Sequence, residues 1–257
     1  MISPVGINTT IQNKKFNACN NKKVPFKGAD RYIVSDAGKL LYRTTTHIFR
    51  HDLNWPQIFG IFAKEKPDKV YCYACSDGSE PYSIVMGLFE LFGKEKAKKF
   101  LPVLARDIDE SNINVCKTGK IDVTPTDMLG IEDNIGCNCV EKYFPVKYDG
   151  YKMMRFANND LRNAVEFRQA DFIKNAENID YDNSMIFCRN VWPYFKPADV
   201  MYLADVFSKK FTEKTKLILG SFDRSASNDT IAEVLKKIGN LVEDENCPNL
   251  FRKNISK

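Results

Sequence analysis

Long apolar runs are absent from this 257-residue chain, so no segment reads as a membrane span. Histidine is scarce: His47 and His51 stand four apart, like a helical metal pair, but His-Ile-Phe-Arg-His lacks the glutamate of a zinc protease. Surface or core roles are the expectation for both, and no metal is assigned. The eight cysteines form no regular framework. Cys72 with Cys75, and Cys137 with Cys139, have zinc-like spacing, yet Cys72 and Cys75 read as strand residues on opposite faces of a sheet and hence as small core residues. Charge of one sign is also missing. The formal +5 is spread through mixed runs such as Lys94-Glu-Lys-Ala-Lys-Lys99, which read as solvated helix faces rather than a nucleic-acid surface. Residues 1–29, rich in Asn, Lys and Thr, have no apolar stretch of a signal peptide. They read as a mobile polar tail on a cytoplasmic protein.

What is present is an alternation of short apolar strands and amphipathic helices. Helical spacing runs over Thr44–Phe62, a strand over Val70–Ala74, and a helix over Tyr82–Phe92, stopped by Gly93. Leu101–Ala105 is a second strand and Glu110–Lys117 a helix ended by Gly119. Ala164–Arg168, Met185–Cys188 and Lys216–Leu219 read as further strands, with a helix over Asp199–Phe211. Between Leu129 and Phe167, glycines and short aromatic runs predict a small β-hairpin annex. The order implies an α/β fold, a mostly parallel doubly wound sheet.

In such a sheet a ligand lies across the carboxyl ends of the strands. The first of these ends carries Ser76-Asp-Gly-Ser-Glu-Pro81, in which Ser79 reads as a helix cap and Pro81 fits the first helical turn. The turn has a single glycine, Gly78, where a nicotinamide site needs Gly-x-Gly-x-x-Gly. It has two acids, Asp77 and Glu80, which repel a pyrophosphate and suit a cation. S-adenosylmethionine, with its ammonium and sulfonium, is such a ligand. Asp107, at the second strand end, suits ribose hydroxyls. Asp171 suits an exocyclic amine of adenine, with Phe172 beside the ring. Arg189-Asn190 leaves a third strand end.

These stretches, Cys75-Ser-Asp-Gly-Ser-Glu-Pro-Tyr-Ser83, Ala105-Arg-Asp-Ile-Asp109 and Ile186-Phe-Cys-Arg-Asn-Val191 with Tyr194-Phe195, resemble the CheR-type chemotaxis receptor methyltransferases from about Thr44 onward. The resemblance implies a Rossmann-like S-adenosylmethionine (SAM) methyltransferase fold with a small inserted β-subdomain at about 129–167. It implies a protein-glutamate O-methyltransferase whose partner is a protein glutamate, a chemoreceptor among the family's substrates. Carried over to this sequence, it implies that Thr44, Thr46 and Arg50 close over the cofactor. Gly78, Ser79, Glu80, Asp107, Asp171, Phe172, Arg189 and Asn190 would line it, and Arg50 and Arg189 would serve as the catalytic cations. Residues 67–257 would form the SAM-binding domain and 30–66 a shortened helical N-terminal segment.

Two departures matter. Ser79 stands where the family usually has a glutamate, and Gly220-Ser-Phe-Asp-Arg224 replaces a Gly-His-Ser-Glu stretch. They leave a second expectation open, a non-catalytic SAM-binding sensor or scaffold.

Overall fold

A computed structural model describes residues 32–34, 40–42, 46–136, 139–149, 151–225 and 230–255. The expected polar tail 1–29 and Thr44 lie outside the described residues. The chain forms two units, Met1–Arg43 and Thr44–Lys257. In the first, Tyr32–Val34 pairs antiparallel with Leu40–Tyr42, where a helical segment is expected from the sequence.

The second unit is built on a seven-stranded sheet of strands β1 (Lys69–Tyr73), β2 (Val103–Asp107), β3 (Val165–Gln169), β4 (Ser184–Cys188), β5 (Lys216–Ile218), β6 (Leu241–Glu243) and β7 (Leu250–Lys253). Their spatial order is β3-β2-β1-β4-β5-β7-β6. The pairs among β1 to β5 are parallel, and β7 joins β5 and β6 antiparallel. The mostly parallel α/β fold read from the sequence is the observed one. β1 and β4 are buried along nearly their whole lengths, which is why they read as unbroken apolar runs rather than alternating ones. β2 starts two residues later than predicted, past Pro102, which has no N–H to give a ladder.

Six longer helices accompany the sheet: α1 (Trp55–Glu65), α2 (Ser79–Phe92), α3 (Glu110–Thr118), α4 (Pro125–Ile135), α5 (Pro197–Lys210) and α6 (Thr230–Lys237). α1 begins eleven residues later than the apolar spacing from Thr44 suggests. The reason is local: Asn54 caps it by accepting the Gln57 N–H at 3.2 Å, and Pro56 fits its first turn. Upstream, the Ile48 and Phe49 N–H groups donate to the side chains of Asp127 (2.6 Å) and Ser83 (2.8 Å) instead of to a helix.

Alternate residues of β1 feed two cores. Val70 and Cys72 pack with α1 and α2 on one face, Tyr71 and Tyr73 with α5 on the other. Cys75 lies beyond the strand and joins the same core as Cys72, so the two do not face opposite sides.

The annex is also corrected. Its sheet is three-stranded, Lys120–Ile121 and Val146–Asp149 flanking Lys152–Phe156, but α4 and the short helix Cys139–Tyr143 occupy the same region. α4 opens on a capping box in which Thr124 and Asp127 satisfy each other's backbone N–H groups. The C-terminal hairpin β6–β7 and helix α6 carry no counterpart in the sequence reading.

Candidate active site

β1 has β2 on one side and β4 on the other, so the chain leaves β1 outward and later returns to its opposite flank. The loops after β1 and β4 therefore diverge, opening the crevice where doubly wound sheets hold ligands. Left-handed backbone occurs at these ends. Ala74 (φ 55°), Ser76 (φ 52°) and Asn190 (φ 58°) are left-handed without being glycine, and Gly78 sits at φ 90°. Only glycine fits position 78, because an added Cβ would lie 3.3 Å from Cys116 Sγ, Phe167 Cζ and Tyr82 Cε2 at once.

Gly78, not Ser79, is the N-cap of α2. Ser79 is the first helical residue; its N–H donates to Asp77 Oδ1 at 2.9 Å and its carbonyl accepts the Ser83 hydroxyl at 2.7 Å. The positive end of α2 thus faces a turn carrying Asp77 and Glu80. Burial pushes both carboxyls above the usual range. The Ser79 N–H and hydroxyl oppose this at Asp77, and the Arg189 guanidinium opposes it at Glu80. Charge buried at such cost is relieved by a cation arriving from solvent.

Asp107 is buried at the end of β2. One oxygen accepts the Ser76 N–H at 2.8 Å, and the other accepts the Asp109 N–H at 2.9 Å, so it stitches the β1 loop to the start of α3. Oδ1 also accepts from Asn112 Nδ2 at 3.4 Å, so it is Oδ2 that keeps a lone pair for a further donor. Asp171 caps the short helix Phe172–Asn175 by accepting the Ile173 N–H at 2.9 Å. Phe172 is packed into the core, its ring 4.5 Å from that of Tyr73 and edge-on to Trp192. That burial leaves little of the ring exposed, where the sequence reading expects it beside adenine.

The largest revision concerns Arg189. Its side chain is 1% exposed and lies between two carboxylates, Glu80 Oε2 at 3.0 Å and Asp52 Oδ1. Burial alone would lower its pKa, but these two anions hold it above the ordinary value, so the guanidinium stays charged. It is a buried cation already paired with two carboxylates, whereas the sequence reading expects it to serve the acceptor. Arg50, by contrast, is 30% exposed, with Nε 3.7 Å from Asp52 Oδ2. Asn190 donates from Nδ2 to Asp52 Oδ2 at 3.0 Å, and its backbone N–H goes to Asp223 Oδ2 at 2.7 Å. Thr46 is half-buried at the start of the described segment.

Residues that the sequence reading passed over complete the site. Asp52 joins Arg189, Asn190 and Arg50, and no sequence signal marks an acid in a polar coil as such a junction. Asp223 accepts the N–H groups of Gly220 (2.7 Å), Asn190 and Trp192 (3.0 Å), tying the ends of β4 and β5 together. Asp127 is legible in hindsight from Thr124-Pro-Thr-Asp127, a capping-box pattern.

Among the described residues, Ser76 Oγ, Glu80 Oε1 and Arg189 Nε are buried at this site without a nitrogen or oxygen partner, and the Cys72 thiol hydrogen-bonds the Glu80 carboxylate. The two oxygens, set among Asp52, Asp77, Glu80 and Asp107, fit a ligand that brings donors and positive charge, as the ammonium, sulfonium and ribose hydroxyls of SAM do. No group of ligands for a metal is found among these residues, and no helix among them is long and apolar enough to cross a membrane.

Residues 45–238 match the family model described as CheR methyltransferase, SAM binding domain. The chain is 30% identical over 129 residues to chemotaxis protein methyltransferase Cher2 of Pseudomonas putida, covering 49% of this chain and 44% of that protein. It is 27% identical over 169 residues to chemotaxis protein methyltransferase 2 of Vibrio cholerae, covering 65% and 54%. With the chemotaxis protein methyltransferase of Borreliella burgdorferi the identity is 24% over 173 residues, covering 65% and 56%. The chain thus spans about half the length of the relatives it matches.

Proposed function

Because this chain belongs to the CheR methyltransferase family, we propose that it transfers a methyl group from SAM to a glutamate carboxylate of a protein. The observation that carries the reading is the convergence of acids and unpartnered buried oxygens at the β1 and β2 strand ends, next to the end of β4 and beside a one-glycine turn. When bound, SAM supplies an electrophilic methyl on a sulfonium.

The chain's own residues do the rest. Asp77 and Glu80 favour positive charge at the turn, and Asp107 accepts hydrogen bonds from the ribose. Asp171 would take the adenine amine, Asn190 would line the methyl end, and Thr46 with Arg50 would cover the site. Thr44 carries the same covering role from the resemblance alone. A glutamate is ionised near neutral pH, so its attack requires no general base. Alignment and exclusion of water are then the main tasks. With Arg189 enclosed by Asp52 and Glu80, the more exposed Arg50, itself 3.7 Å from Asp52, is the cation proposed to hold the acceptor carboxylate.

The relatives' names point to a chemotaxis system, and a chemoreceptor is the proposed partner, with the protein working in the cytoplasm. The exposed Tyr148 and Met153 of the annex hairpin support a protein-binding role there. Incubation of the protein with methyl-labelled SAM and cell protein from its own source is the test. Base-labile label on a protein in the presence of the wild type, lost with Arg50→Ala, supports the reading; no such ester with the wild type overturns it.

A further inference from the structure

Asp52 lies in the coil between the Ile48–Phe49 turn and α1, and its side chain is 11% exposed. Its partners come from three places. Arg189 and Asn190 leave β4, the Ser221 N–H (3.4 Å to Oδ2) follows β5, and Arg50 precedes it in its own segment. Oδ1 accepts from Arg189, while Oδ2 accepts from Asn190 and Ser221 and lies 3.7 Å from Arg50 Nε.

The same segment wraps Arg189 from a second direction. The guanidinium lies 5.6 Å from the Trp55 ring centroid, and Trp55 Nε1 donates to the Arg50 carbonyl at 3.1 Å. Arg50, Asp52, Arg189 and Trp55 therefore close a ring of contacts around one buried cation. Asn190 depends on it too. Its left-handed backbone (φ 58°) is one that asparagine tolerates. Its amide is oriented by Asp52, an acceptor only, on one side, and by the Phe222 N–H (3.3 Å to Oδ1) on the other. Gly220 leaves the room for it, since a Cβ there would sit 2.2 Å from Asn190 Oδ1.

We propose that Asp52 is a positioning residue: by clamping Arg189 and Asn190 it locks the 46–54 segment onto the end of β4 and so presets Arg50 and Asn190 for the ligand. The proposal rests on the methyltransferase reading only for the identity of that ligand. Asn at position 52 would keep one oxygen for Arg189 but turn an NH₂ group toward Asn190 Nδ2, donor against donor, and would remove half of the negative charge that faces the guanidinium.

The test compares wild type, Asp52→Asn and Asp52→Glu by two readouts. One is calorimetric titration with S-adenosylhomocysteine, the demethylated form of the methyl donor. The other is the pair of indole N–H cross-peaks in a nitrogen-15 correlation spectrum; only Trp55 and Trp192 contribute. Asp52→Asn is expected to weaken S-adenosylhomocysteine binding about tenfold. It should also shift the Trp55 indole peak and speed its hydrogen exchange, while the Trp192 peak, bonded to the Cys188 carbonyl at 2.9 Å, stays in place. Asp52→Glu, which keeps the charge, should recover most of both.

Wild-type affinity and an unmoved Trp55 peak in Asp52→Asn would overturn the proposal. A wild type that fails to bind S-adenosylhomocysteine while Trp55 still responds refutes the methyltransferase reading and leaves the clamp standing. Should Asp52→Asn not fold, Asp52→Glu carries the decision. A folded Asp52→Glu with an intact Trp55 peak and affinity within about threefold of wild type supports the clamp, and a folded one with both lost contradicts it.

Discussion

The strand ends and the annex hairpin spend free energy on opposite things. Around the turns after β1 and β4, carboxylates and a guanidinium are buried and three residues other than glycine hold left-handed backbone. On the hairpin Val146–Asp149 with Lys152–Phe156, no comparable burial is needed, and Tyr148, Tyr151 and Met153 project into solvent. Desolvated charge and strain persist only where the surroundings enforce them, and they mark a site that recognises polar or charged groups. Exposed rings cost little in folding and suit a looser contact with another macromolecule. Substitutions should therefore be severe in the first region and mild in the second.

The largest effect is expected from Arg189→Met, which leaves Glu80 and Asp52 facing each other without their shared cation. Urea denaturation should show a loss of about 3–5 kcal/mol; a loss below about 1 kcal/mol would mean the pair is solvated and the contrast fails. Next comes Gly130→Ala in α4. A Cβ there would lie 2.6 Å from the Ile48 carbonyl oxygen, so it presses on the segment that also carries Arg50. A loss of about 1–3 kcal/mol with weakened SAM binding is expected. Unchanged binding would separate α4 from the site.

Asp223 gives a smaller effect, read from pH. Burial pushes its carboxyl up to about 6, against the pull of the backbone N–H groups it accepts. Its unfolded value is near 3.9, so folding takes up a proton between about pH 4 and 6. Its contribution to stability is greatest below that window and declines as pH rises through it. Asp223→Asn should remove this part of the pH dependence, measured as the midpoint of denaturation across pH 4–7. The smallest effect is that of Tyr151→Ser at the hairpin tip, within about 0.5 kcal/mol. A larger loss would show that the hairpin is tied down by contacts that its exposure does not suggest.

The same contrast explains what could be read in the residues. β1 and β4, buried on both faces, announce themselves as apolar runs, and Gly93 and Gly119 mark the ends of α2 and α3 as expected. Their order was enough for the fold. α4 was hidden because its apolar face is short and Met128 and Leu129 point outward, although Thr124 and Asp127 signal its start. The apolar spacing from Thr44 misled because Ile48 and Phe49 are buried in a turn held by side chains of α4 and α2, not in a helix. Arg189 and Arg50 have equal standing in the sequence. What separates them is enclosure: Arg189 is 1% exposed between Asp52 and Glu80, partners far from it in sequence that local pattern does not reveal, whereas Arg50 is 30% exposed.

The acids at the β1 and β2 ends are proposed to hold a cationic, ribose-bearing ligand. Calorimetric titration of the wild type and of Asp107→Ala with SAM, and of the wild type with NAD, tests this most directly. The expected result is saturable SAM binding by the wild type, loss of that binding in a folded Asp107→Ala, and no heat with NAD. NAD binding by the wild type, or a folded Asp107→Ala that binds SAM as the wild type does, would contradict it.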